Sequence, residues 1–285
     1  RLSMGVQDFD PDVQNAVHRI QTVAETQAIL DYARELGFSS VNFDLIYGLP
    51  KQTAATWLAT LKTLAELRPD RVAVFSFAFV PDVRKNQSKL DPRDMLTGPD
   101  KLELFGLAHD ALTDAGYQPI GMDHFALPTD ELSQARQRKQ LWRDFQGYTV
   151  FRGADTIAFG ITGIGSVAGA FVQNTKSLGH YQDNVAHGLF ATERGLVLSA
   201  DDVARQNIIT QLMCNFWIDL GPDGASRYGA ELERLSAPEL RPLVDVRGTE
   251  IAVTPLGQLF VRNVASVFDA YLHGPQARPL FSRSV

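Results

Sequence analysis

At 285 residues, 45% of them hydrophobic, the chain can bury one large core or two ordinary ones, which excludes a disordered protein. Its formal charge of −6 comes from mixed signs without a basic tract that could neutralise a phosphate backbone, so no nucleic-acid partner is expected. No apolar run reaches the roughly 18–20 residues of a membrane span, and Arg1-Leu2-Ser3-Met4 is no signal peptide, so a cytoplasmic protein without a membrane partner is expected.

The single cysteine, Cys214, can form no internal disulfide and cannot supply a three- or four-thiolate metal site. Its setting, Ile208-Ile209-Thr210-Gln211-Leu212-Met213-Cys214, reads as a buried helix and favours a structural role. The chain opens without an initiator Met and directly on a strand-like stretch, from which we expect an upstream region to be missing.

Over residues 1–125, short apolar runs alternate with segments of helical period, the pattern of repeated strand–helix units and a parallel sheet in an α/β fold. Residues 2–9 read as a strand. Residues 23–36 read as a helix with Ala24, Ile29, Ala33 and Leu36 near one face and Gly37 as a stop signal. Residues 41–47 form the next strand, closed by Gly48-Leu49-Pro50, and Thr53 can cap a helix carrying Trp57, Leu58, Leu61, Leu64 and Leu67. A third strand is expected at 71–79, a helix at 101–115 ending at Gly116, and a fourth strand at 119–125.

Residues 126–198 are less regular, with a polar helix at 130–141 and a small-residue stretch at 160–169. From Ser199, a cap ahead of Asp201 and Asp202, the texture is helical, with a small hairpin expected at 244–253. We place a domain boundary near 198, giving units 1–198 and 199–285.

In parallel α/β folds ligands gather at the carboxyl ends of strands, which draws attention to Gln7 and Asp44. Asp44, between Phe43 and Leu45 in a strand expected to be covered on both faces, needs a partner: a structural ion pair or a ligand contact such as a ribose hydroxyl. Asp123-His124 ends a predicted strand, and His124 is either a satisfied core histidine or a group that titrates near neutral pH or binds a carboxylate. The histidines at 18, 109, 180, 187 and 273 share no ligand spacing. Gly163-Ile164-Gly165 would let backbone approach a cofactor or simply make turns, and Arg84, Lys85 and Lys89 would attract a polycarboxylate or form a solvated loop.

Four segments together resemble the oxygen-independent coproporphyrinogen III oxidases of the radical S-adenosylmethionine class. They are Arg1-Leu2-Ser3-Met4-Gly5-Val6-Gln7-Asp8-Phe9, Asn42-Phe43-Asp44-Leu45-Ile46-Tyr47-Gly48-Leu49-Pro50-Lys51-Gln52-Thr53, Gly121-Met122-Asp123-His124-Phe125-Ala126 and Phe145-Gln146-Gly147-Tyr148-Thr149. A haem-chaperone branch shares the first two kinds of segment but usually has Gln-Ser where this chain has Gln7-Asp8, and the last two favour the oxidase.

The resemblance implies a partial (β/α) barrel of the radical S-adenosylmethionine type, later strands only, followed by a mainly helical C-terminal domain. It implies S-adenosylmethionine and a four-iron four-sulfur cluster as cofactors, the cluster's cysteine motif lying in a family N-terminal part that is not in this sequence. By motif position the family's S-adenosylmethionine contacts fall on Gln7, Arg19, Asp44, Ala78 and Ile164. The implied reaction converts two propionates of coproporphyrinogen III to vinyl groups, giving protoporphyrinogen IX in porphyrin and haem biosynthesis. A monomer and an unidentified electron donor are implied as well, and this chain by itself would be inactive. A haem-binding or haem-delivery protein of the same fold is the alternative, and an unrelated barrel enzyme using Asp44 or His124 as acid and base is a further one. Many family members carry Tyr and His where this chain has Phe77 and Phe79, which removes those polar contacts.

Overall fold

The computed structural model describes residues 1–272 other than Val83 and Gln146, so His273 and the last part of the expected unit 199–285 lie outside the described residues. Strands β1 (Leu2–Gln7), β2 (Val41–Tyr47) and β3 (Arg71–Ser76) are connected by α1 (Pro11–Ala16) and α2 (Val23–Glu35), then by α3 (Ala54–Leu67). They pair in parallel, with Gly5 beside Asp44 and Asp44 beside Ala73. Capping boxes start α2 (Thr22 with Glu25) and α3 (Thr53 with Thr56), each satisfying donors that a helix N-terminus leaves unpaired. Helix α4 (Gly98–Asp114) begins ahead of the expected 101 because Thr97 and Asp100 form another such box.

Three expectations are corrected here. The strand expected at 71–79 ends at Ser76; Phe77 N still donates to Tyr47 O at 2.8 Å, after which the chain leaves the sheet. The single strand expected at 119–125 is a hairpin, β4 (Gln118–Gly121) and β5 (His124–Ala126), turned at Met122, whose φ is +50°. Since β5 runs antiparallel to β3, the five-stranded sheet is mixed, in the order β1-β2-β3-β5-β4. On α2, only Ala33 of the four expected face residues is buried, alongside Thr26 and Leu30, while Ile29 is 46% and Leu36 59% exposed. With β1 last in the sheet order, the sheet edge covers only a narrow stripe of this helix.

Helix α5 (Glu131–Gln137) is shorter than expected: Asp130 is its N-cap, and Lys139, at φ +55°, takes the chain out of helical geometry. The hairpin β6 (Trp142–Asp144) and β7 (Gly147–Thr149) follows, with the motif residue Gln146 outside the described set. Then come β8 (Ile164–Val167), β9 (Ala170–Asn174), α6 (Leu178–Ala186) and β10 (Thr192–Val197), the strands forming an antiparallel sheet in the order β10-β9-β8.

Helix α7 (Ala200–Asn215) opens with the expected Ser199 cap, boxed with Asp202. Beyond it lie β11 (Trp217–Asp219), α8 (Gly224–Arg227), α9 (Gly229–Leu235), β12 (Val244–Arg247), β13 (Glu250–Val253), α10 (Pro255–Leu259) and α11 (Val261–Ala265). The expected hairpin at 244–253 is β12–β13, and β11 adds a third strand to it.

One apolar cluster lies between the first sheet and its helices, including Phe43, Leu45, Trp57, Leu61 and Leu64, and another packs α7, α9 and α11 against β11–β13. A smaller cluster with Ile120, Leu132, Leu141, Tyr148 and the buried Cys214 lies between them. Each fully buried large side chain contributes about 1.5–3 kcal/mol relative to exposure.

A buried polar knot joins the ends of β1 and β2. Asp8 accepts from Thr60 Oγ1 at 2.6 Å, Gln52 Nε2 at 2.5 Å and Asp10 N at 2.8 Å, while Gln52 Oε1 accepts from Gly48 N at 2.6 Å. Gly48 itself sits at φ +81° against the Lys101 stem, a backbone conformation that any side chain would strain. Replacing Gln52 with Leu leaves a buried carboxylate and a buried N–H short of partners, and we expect a loss of about 3 kcal/mol in denaturant unfolding.

Candidate functional site

The burial of β2 alternates along its length: Val41, Phe43, Leu45 and Tyr47 are buried against the helices, while Asn42, Asp44 and Ile46 are half-buried on the other face. The expectation that this strand is covered on both faces is therefore corrected. Its second face opens on a groove of about 350 Å³ lined by Ser3, Asn42, Asp44, Phe75, His124 and Tyr148, among others. Strand register explains the gathering, because Gly5, Asp44, Ala73 and His124 occupy successive partner positions across β1, β2, β3 and β5.

Asp44 accepts from Asn42 Nδ2 at 2.7 Å and from Ser3 Oγ at 3.4 Å, and Asn42 Nδ2 also donates to Ser3 Oγ at 2.9 Å. No ion pair among the described residues includes Asp44, so of the two readings open to it the structural ion pair is not formed. Burial raises its carboxyl above the ordinary range, against the lowering effect of the Asn42 and Ser3 hydrogen bonds and the charge of Arg19.

Gln7 and Arg19 meet at the end of β1. Arg19 Nη2 donates to Gly5 O at 2.7 Å, and its loop is held by the buried Gln14, which donates to Asp8 O and Gln21 O and accepts from Gln21 N. Gln7 adopts φ +68° at an irregularity in the β1–β2 register, and its Oε1 is buried without a hydrogen-bond partner. Gly5 makes this possible: a Cβ there would stand 2.5 Å from Gln7 Nε2 and 2.9 Å from Arg19 Nη2. A buried amide oxygen with no partner beside a guanidinium and a carboxylate is a donor–acceptor set suited to a polar ligand.

Ala78 and Ile164 lie on other elements. Ala78 follows β3, and its carbonyl accepts from Gln87 Nε2 at 3.0 Å. Ile164 begins β8 as the partner of Gln173. In Gly163-Ile164-Gly165 the last two residues lie in strand β8 and do not form a turn, and a Cβ on Gly165 would come 2.6 Å from Thr156 O. Arg84, Lys85 and Lys89 are exposed, the two lysines at the ends of a 3-10 helix (Lys85–Lys89) that Arg84 precedes, where a loop was expected.

His124 lies in the groove, its Nδ1 2.7 Å from Asp123 Oδ1 and its ring edge-on to those of Phe75 and Tyr148. Sequence reasoning missed Ser3, Asn42 and Tyr148 as groove residues. The alternation Asn42-Phe43-Asp44 carried the signal for Asn42, whereas Tyr148 arrives from a separate hairpin. Among the described residues no group of three or more His, Cys, Asp or Glu side chains is placed to hold a metal ion. The Cys214 thiol, pushed up to about 12 by burial, is no ready thiolate ligand. No helix of the described residues is long and apolar enough to cross a membrane.

No family model matches the chain. An oxygen-independent coproporphyrinogen III oxidase of Thermostichus vulcanus is 40% identical over all of the chain and 90% of its own length. Proteins of the same name from Synechocystis sp. and Escherichia coli are 40% and 42% identical over all of this chain, which spans 64% of each. A solved structure described as coproporphyrinogen III oxidase from Escherichia coli, a radical SAM enzyme, superposes with a TM-score of 0.91 at 42% identity, covering 95% of this chain and 64% of that one.

Because burial raises Asp44, its protonation favours the folded state. Its stabilising contribution is complete below the unfolded carboxylate range and is lost as pH rises through the raised folded value. We expect Asp44→Asn to stabilise the ligand-free protein at neutral pH and to flatten that loss, as measured by denaturant midpoints across the acidic range.

Proposed function

The chain belongs to the oxygen-independent coproporphyrinogen III oxidase family, and from that premise we propose that it acts in anaerobic oxidative decarboxylation of coproporphyrinogen III with S-adenosylmethionine as cofactor. The observation that carries the reading is the set formed by Asp44, Arg19 and the unpartnered Gln7 Oε1 at one end of the parallel strands. In this reading Asp44 accepts from the ribose hydroxyls, Arg19 pairs with a carboxylate and Gln7 accepts a hydrogen bond, while Ala78 and Ile164 contribute backbone and apolar contact to the adenosine.

When bound, S-adenosylmethionine would supply the hydrogen-abstracting chemistry together with a four-iron four-sulfur cluster, for which the described residues offer no ligand set. Each of two propionates would lose a hydrogen atom to the activated cofactor, one electron to an external acceptor and its carboxylate as carbon dioxide, leaving two vinyl groups and protoporphyrinogen IX. This chain's residues hold the reactants together and limit water at the groove face.

The finer architecture belongs to the same proposal. The sheet is the later part of a partial (β/α) barrel, its polar face turned to the lumen, and a mainly helical domain starts near residue 199. Support comes from β1 standing last in the sheet order beside the exposed Ile29 and Leu36 of α2. We further propose a monomer in the cytoplasm served by an electron donor, with neither nucleic acid nor membrane as a partner.

The test is anaerobic assay of the full-length gene product, with iron and sulfide reconstituted, for vinyl product and deoxyadenosine from coproporphyrinogen III and S-adenosylmethionine. Both products are expected; haem binding without decarboxylation would favour a delivery protein of the same fold. In calorimetric binding, Asp44→Ala is expected to weaken S-adenosylmethionine roughly tenfold to a hundredfold, as loss of hydrogen bonds to a charged acceptor implies.

A further inference from the structure

His124 is held as a one-sided hydrogen-bonding group. Its Nδ1 lies 2.7 Å from the Asp123 carboxylate. Burial would raise that carboxyl, but the hydrogen bond from His124 and the charge of Arg143 hold it below the ordinary range. With Nδ1–H donating to this carboxylate, the ring in its neutral form has Nε2 left as the acceptor.

The ring is fixed in orientation by Phe75, with centroids 5.9 Å apart at 83°, and by Tyr148, at 5.3 Å and 77°. Tyr148 is itself tied by its hydroxyl to Met213 O at 3.0 Å. The Nε2 edge lies beside Gly147, where an added Cβ would stand 3.3 Å away and crowd it.

The surroundings define what this acceptor suits. The groove is lined by the Asp44 and Asp144 carboxylates, with Asp123 behind His124. Its lining arginines, Arg1 and Arg71, are engaged with Glu131 and, for Arg71, Asp130. Such a face offers acceptors to hydrogen-bond donors. A porphyrinogen carries its carboxylates on the periphery and presents pyrrole N–H donors at its centre.

We propose that His124, oriented by Asp123, is a substrate-positioning residue whose Nε2 accepts a hydrogen bond from a pyrrole N–H of the porphyrinogen. The inference rests on the proposed function and adds to it which part of the substrate faces His124: the donor-bearing centre.

The test is anaerobic equilibrium dialysis of the full-length gene product against coproporphyrinogen III, with bound ligand oxidised and quantified, alongside nitrogen NMR of labelled histidine. The spectrum of His124→Gln identifies the His124 signals. We expect the wild-type Nε2 to be unprotonated in the neutral ring and to shift when coproporphyrinogen III is added. His124→Leu should weaken porphyrinogen binding about tenfold, as loss of one hydrogen bond implies, and His124→Gln should recover part of it through its amide oxygen. Asp123→Asn should move the ring proton to Nε2 and weaken binding similarly. S-adenosylmethionine affinity should stay within about twofold in all three.

Binding by His124→Leu equal to wild type would overturn the inference and leave the proposed function standing; so would a wild-type Nε2 that carries the proton in the neutral ring. If His124→Leu does not fold, equal binding by wild type, His124→Gln and Asp123→Asn would overturn it. A folded wild-type protein that takes up no coproporphyrinogen III would overturn the proposed function and this inference with it.

Discussion

The constraint on which the site depends is the two-sidedness of β2. A strand that alternates buried Val41, Phe43, Leu45 and Tyr47 with half-buried Asn42, Asp44 and Ile46 can place its polar residues in a groove because its other face is secured by α3 and α4. A one-residue slip in register would turn Asp44 into the apolar cluster, where an unpaired carboxylate is costly. The Asp8–Gln52–Thr60 knot guards against that slip by joining β1, the turn after β2 and α3 through buried hydrogen bonds.

Electrostatics then give the groove its character. Asp44 is supported by neutral donors and is desolvated without a direct ion pair, which leaves it poised to gain from a ligand that donates hydrogen bonds. At the adjoining end Arg19 is anchored to the Gly5 carbonyl, and Gln7 keeps an acceptor unsatisfied at a left-handed backbone position. Such an arrangement sacrifices some stability of the empty protein to prepare a binding site.

Much of the first sheet was legible because apolar period and cap chemistry agree there. Val41–Tyr47 is a strand over the residues expected, and Thr53 and Ser199 are the caps expected. The hairpin at 118–126 was not legible because its turn uses Met122 in a left-handed conformation where no Gly or Asn marks it. The buried stripe of α2 was misread because Ile29 and Leu36 fit a helical period but project beyond the sheet edge. In the site, strand-end position drew attention to Gln7 and Asp44 and motif resemblance added Arg19, but their convergence depends on the β1 irregularity and the Gln14-held loop, neither of which leaves a periodic trace. Ala78 and Ile164 offer no polar side chain, so only the resemblance singled them out.

The measurement that bears most directly on the central claim is the titration of the Asp44 carboxyl, followed by carbon NMR of labelled aspartate in the full-length gene product with and without S-adenosylmethionine. Asp44 should titrate above the ordinary carboxylate range in the free protein and move down on binding, because ribose hydroxyls donating to it favour its charged form. A titration that is unchanged while the ligand is bound would contradict Asp44 as the ribose acceptor.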